Sequence, residues 1–231
     1  MRLRASVLAC AFLAGVSAVA AGQDTTTGEL WPEVDAYVRL SPAARLFFVV
    51  MPVVSRDDKS LSETQLGGHL EVGVMPMARR QLRTAYDADR LGYLRARIGY
   101  RQVQTAGSGR SERRVVADVT PRFFLPWDVL FALRNEFDFR WVHEVYSWRF
   151  RPRVWLERET RIGGVTTVPY WSVELFYDAR YEGWSRTFYQ TGIAIPVSRR
   201  VAPEIYYGRQ IDRQPAQKTV NALGVLATLY F

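Results

Sequence analysis

Apolar and polar residues alternate one by one along most of the chain after Leu30, and stripes at helical spacing are nearly absent. A period of two is that of a strand with unlike faces, so the prediction is all-β. The clearest run is Val129 to Trp141, where Phe131, Leu133, Phe137, Phe139 and Trp141 alternate with Arg134, Glu136, Asp138 and Arg140. The same parity sets Val34, Ala36, Val38 and Leu40 against Glu33, Asp35, Tyr37 and Arg39, and Leu66, Leu70, Val72 and Val74 against His69 and Glu71. Leu94, Ala96, Ile98 and Tyr100 oppose Tyr93, Arg95, Arg97 and Arg101, and Val115, Ala117 and Val119 oppose Arg114, Asp118 and Thr120. Further on, Trp148, Phe150, Val154 and Leu156 face away from Arg149, Arg151, Arg153 and Glu157, and Trp171, Val173, Leu175 and Tyr177 from Tyr170, Ser172, Glu174 and Asp178. Only Met75 to Asp89 could pass for a helical segment.

The last strand carries Leu223, Val225, Ala227, Leu229 and Phe231 on one face and mostly small or polar residues on the other. A terminal strand that is greasy on one side, with no chain left to cover it, predicts a surface made for lipid. The longest apolar run, Leu46 to Val54, is about half of what a spanning helix needs, so any crossing of a membrane uses strands. The expected architecture is a single antiparallel transmembrane β-barrel. Eleven strands are visible, but bacterial barrels normally have an even number, with both chain ends on the periplasmic side. The expectation is therefore 10 to 12 strands, with a missing one sought in Gln23 to Pro32 or in Met75 to Asp89. Polar segments near Pro52 to Ser62, Gln104 to Ser111, Asp178 to Trp184 and Asp212 to Thr219 predict long external loops, alternating with tight turns near Pro42, Leu125 to Trp127, Gly163-Gly164 and Val197 to Arg200. Trp31, Trp127, Trp141, Trp148, Trp171, Trp184 and Tyr100 are expected at strand ends, where membrane girdles sit.

Ahead of the strands, Arg2 and Arg4 precede an apolar run from Ala5 to Val19 and small residues around Ala20-Ala21, the parts of a cleavable export signal. The division expected is residues 1–21 as signal peptide and 22–231 as the barrel domain. Cys10 falls in the leader, so the mature chain would have neither disulfide nor thiol chemistry. Without Arg2 and Arg4 the 31 basic residues become 29 against 23 acidic ones, a net charge of +6, with Lys59 and Lys218 the only lysines. Arg suits buried pairs and lipid phosphates. Export makes nucleic acid an unsuitable partner, and the expected localisation is the bacterial outer membrane.

Parity places charge of both signs on the barrel's inner face. The basic set is Arg95, Arg97, Arg134, Arg140, Arg149, Arg151 and Arg153; the acidic set is Glu71, Asp118, Glu136, Asp138, Glu157, Glu174 and Asp178. Two readings follow: a self-satisfying network that fills a narrow lumen, or a path for an anionic solute resting on Arg149, Arg151 and Arg153. An acyl hydrolase of the outer membrane would need a histidine beside a nucleophile. The chain offers His69, two residues from Glu71, and His143, near Glu144 and Ser147. No nucleophile elbow, metal-spaced His/Asp set or phosphate-cradling Gly loop is present, so neither a metal nor a cofactor is expected. A soluble periplasmic β-barrel binding an apolar ligand is the third class.

Several phrases resemble the domain of unknown function 2490 family of bacterial envelope proteins: Leu30-Trp31-Pro32-Glu33-Val34-Asp35-Ala36-Tyr37, Thr120-Pro121-Arg122-Phe123, Arg134-Asn135, Arg140-Trp141, Trp148-Arg149-Phe150-Arg151, Glu174-Leu175-Phe176-Tyr177-Asp178, Asn221-Ala222-Leu223-Gly224 and the closing Leu229-Tyr230-Phe231. The resemblance implies an outer-membrane β-barrel without an assigned activity and supplies no catalytic residues. The partners expected are outer-membrane lipids, lipopolysaccharide and the barrel-assembly machinery, with Leu229 and Phe231 as the assembly signal.

Overall fold

The computed structural model describes residues 25–76, 92–107 and 111–231. The expected leader, Cys10 included, lies outside the described residues, as does most of Met75 to Asp89. Twelve strands follow in chain order: β1 (Thr25–Arg39), β2 (Ala44–Ser55), β3 (Leu61–Pro76), β4 (Gly92–Thr105), β5 (Ser111–Leu125), β6 (Val129–Val142), β7 (Val145–Arg158), β8 (Thr160–Ile162), β9 (Val165–Asp178), β10 (Gly183–Ala194), β11 (Val201–Asp212) and β12 (Lys218–Tyr230). Eleven of them close into a barrel; β8 is a three-residue strand paired only with β9.

Each neighbour is antiparallel to the next except at the closing seam, where β1 runs parallel to β12 from Thr25↔Lys218 to Tyr37↔Tyr230. This corrects two expectations. The barrel is mixed rather than wholly antiparallel, and its strand number is odd. One follows from the other: in an up-and-down order of eleven, the first and last strands point the same way. Thr25 and Phe231 thus lie at opposite rims. Of the segment Gln23 to Pro32, the described residues Thr25 to Pro32 are part of β1 and make no separate strand.

The rim contrast is also weaker than expected. Strands run deep into the segments read as long loops, leaving five residues at 56–60 and five at 213–217, and β6 and β7 are joined by only two, 143–144. His143 and Glu144 both take the left-handed conformation, φ 50 and 66, a two-residue turn whose twist suits the hairpin it joins. β3 ends at Pro76 and β4 begins at Gly92 on the rim where β12 ends.

Parity is as read on every strand. Leu223, Val225 and Phe139 are 41, 49 and 37 % exposed, whereas Glu136, Asp138 and Glu174 are at most 1 % exposed. The molecule is inside-out relative to a water-soluble domain, in which charged residues are almost never fully buried and large apolar patches are covered. Outward aromatics gather at one rim, where Trp141 meets Tyr146 and Tyr177 lies between Trp148 and Trp184. Trp127 projects at the other rim. Three departures from the girdle expectation are Trp31, which faces the interior and meets Phe188, and Tyr100 and Trp171, which lie mid-strand on β4 and β9. Among the described residues no helix is long and apolar enough to cross a membrane, which says nothing about strands.

Candidate functional site

The site is the barrel interior. Adjacent strands bring inward side chains of like level within reach, so the arginines of one strand meet the carboxylates of the next. Glu136 on β6 receives Arg151 at 2.6 Å, Arg134 at 3.3 Å and Arg97 at 3.5 Å. Glu174 on β9 receives Arg134 at 2.6 Å, Arg151 at 2.9 Å and Arg153. Asp138 holds Arg149 at 2.9 Å and Arg151 at 3.4 Å, and Asp118 holds Arg97 at 2.5 Å. Toward one side Glu71 meets Arg45 at 2.6 Å and Arg95 at 3.5 Å. Toward the other, Arg140 joins Glu112 to Asp178, with Arg114 also on Glu112 and Arg180 also on Asp178. Ten arginines thereby share seven carboxylates.

All seven basic and all seven acidic residues predicted for the lumen point inward, and Glu157 lines the cavity with them. The carboxylates of Asp118, Glu136, Asp138 and Glu174 sit against the wall, while the guanidinium groups stand over them. Arg149, Arg151 and Arg153 all end on carboxylates, so they are part of a network and not a bare anionic path. Burial makes this arrangement demanding, because each of these ions left alone would cost several kcal/mol, about what removing one partner of a buried pair costs.

The network also includes partners outside the predicted basic and acidic sets. Arg45, Arg114, Arg180 and Glu112 complete the network; Arg45 is recoverable from its parity with Phe47, opposite the outward Leu46, Phe48 and Val50. A second sector of the interior is aromatic. Tyr230, Tyr37, Phe47 and His69 form a continuous stack with centroid spacings of 5.4, 4.8 and 5.3 Å, and Arg45 lies 4.0 Å over the Tyr37 ring. Tyr170 stacks on Trp155 at 4.1 Å, accepts a hydrogen bond from Gln190 at 2.9 Å and donates its own proton to Glu204.

Neither histidine meets a nucleophile. His69 is buried over Gly99, where an added Cβ would fall 2.3 Å from its ring, and both ring nitrogens lack a hydrogen-bond partner. His143 is exposed on its turn, whereas Ser147 is buried in the interior with its hydroxyl unpartnered. Among the described residues no cluster of three or more His, Cys, Asp or Glu side chains is arranged to hold a metal ion.

Charged side chains leave a cavity of about 600 Å³ within the barrel. Across it from the arginine wall, β1 and β11 present Glu33, Asp35 and Glu204, which join no ion pair among the described residues. No family model matches the chain, and no curated protein matches it.

Proposed function

We propose that this chain is an integral barrel of the bacterial outer membrane, without catalytic activity, whose interior is a narrow lumen open to small solutes. One observation carries the reading: the exposed surface is a band of Leu, Val, Ile and Phe, and the buried interior is ionic. Hydrocarbon solvates the first, and the second is satisfied by its own pairs. Strands of 12 to 16 residues in the barrel exceed the roughly 9–11 that a tilted strand needs to cross a bilayer. The resemblance to the domain of unknown function 2490 family supports the same conclusion, as do the aromatic rings at the rims. In this setting Leu229 and Phe231 serve as the signal read by the assembly machinery, and residues 1–21 direct export and are then cleaved.

The test is electrophoretic mobility with and without boiling, together with fractionation of the envelope. The expected outcome is a sarkosyl-resistant membrane protein whose unboiled form migrates ahead of the boiled one. A protein recovered from the soluble periplasm with a single mobility would end this reading in favour of a soluble barrel.

A further inference from the structure

We propose that the lumen binds a small zwitterion, its anionic end at Arg101 and its cationic end at Glu33, Asp35 and Glu204. The proposal rests on the reading of the interior as a solute-facing lumen and adds the class of solute.

The charge is laid out in two opposed walls. On the arginine wall ten guanidinium groups share seven carboxylates. On β1 and β11, Glu33, Asp35 and Glu204 stand without an ion pair among the described residues and line the same cavity. Most of the arginines are bound to carboxylates, but Arg101 on β4 is in no ion pair, and its Nε is buried without a partner. On the other side Asp35 Oδ1 is likewise buried and unpartnered. The Tyr170 hydroxyl, which donates to Glu204, fixes that carboxyl in place.

Register explains why the two sides do not simply meet. Asp35 pairs with Val49, Val49 with Gly67, and Gly67 with Arg101. Three strand spacings of about 4.8 Å put about 14 Å between the two backbones along the wall, and the Val49 and His69 side chains pack over Gly67 between them. The carboxyl and the guanidinium therefore stand apart on the lining of one cavity. A lone anion or cation would be attracted by one wall and repelled by the opposite one. A neutral solute with separated charges gains at both ends.

Calorimetric titration of the purified full chain in detergent tests this, with glycylglycine, acetate and ethylammonium as probes. Glycylglycine is expected to bind saturably, and acetate and ethylammonium at least tenfold more weakly. Asp35→Asn and Arg101→Gln should each weaken glycylglycine at least tenfold, whereas Arg113→Gln on the outer rim should not change it. Glu33→Gln provides a second carboxyl variant should Asp35→Asn fail to assemble. Acetate or ethylammonium binding as tightly as glycylglycine would overturn the proposal, as would wild-type affinity in both Asp35→Asn and Arg101→Gln. Absence of any saturable heat in protein that retains its unboiled mobility would overturn it while leaving the membrane reading intact. Loss of the mobility difference would remove the membrane reading whatever the calorimetry gives.

Discussion

At the scale of single residues, Glu136 and Arg113 make opposite use of the same chemistry. Glu136 is buried among Arg97, Arg134 and Arg151, so truncating it takes a shared carboxylate from three buried guanidinium groups and leaves them only Asp118, Asp138 and Glu174. Arg113 pairs with Glu144 at 2.5 Å, but the two side chains are 47 and 81 % exposed and water screens them. Glu136→Ala is expected to lower unfolding stability by about 3–5 kcal/mol, and Arg113→Ala by no more than about 1 kcal/mol. Denaturant titration of the refolded protein in detergent, followed by tryptophan fluorescence, measures both. Similar losses in the two variants would mean that the interior is as wet as the surface. Close fit matters at this scale as well: at Gly224 an added Cβ would fall 1.9 Å from Cζ of the Tyr206 ring, so glycine there makes room for an aromatic inside the barrel.

Strands and their connections divide into what local sequence encodes and what it does not. The facing of every strand was legible, because parity is local: Phe131 to Trp141 point one way whatever lies next to them. The closing seam was not, because nothing in β1 or β12 alone says that Val34 lies beside Ala227. The rule of even strand number then displaced a visible count of eleven that agrees with the barrel. For the site, parity named the inward arginines and acids but not their matching. That Arg101, alike in sequence to Arg97, lacks a carboxylate depends on the register of four strands. Paired cysteines test the seam. The described residues contain no cysteine, so the background is clean. Leu30→Cys with Leu223→Cys, and Ala36→Cys with Leu229→Cys, should each crosslink with a short bifunctional reagent, since both pairs are neighbours on the outer face. An antiparallel seam would instead join Leu30→Cys to Leu229→Cys.

For the whole molecule, the distribution of burial decides which solvent the fold requires. Val225 is 49 % exposed and flanked on the same face by Leu223, 41 % exposed, with Ile205 paired across from it on β11. If this face meets hydrocarbon, a charge there must be dragged into lipid. Val225→Lys should then destabilise the bilayer-inserted protein by about 2–4 kcal/mol if the site lies near the midplane. In a barrel surrounded by water the same lysine would project into solvent and change stability by no more than about 0.5 kcal/mol, the range of ordinary surface substitutions. Arg209, also on the outer wall but three residues from the end of β11, sets the scale for depth. Its replacement by leucine should have a far smaller effect, because long cationic side chains near a strand end reach the headgroups. Reversible unfolding in vesicles measures all three proteins on one axis. A flat response at Val225 would mean that the apolar band is exposed to water, a surface that a monomeric soluble protein of this size rarely carries.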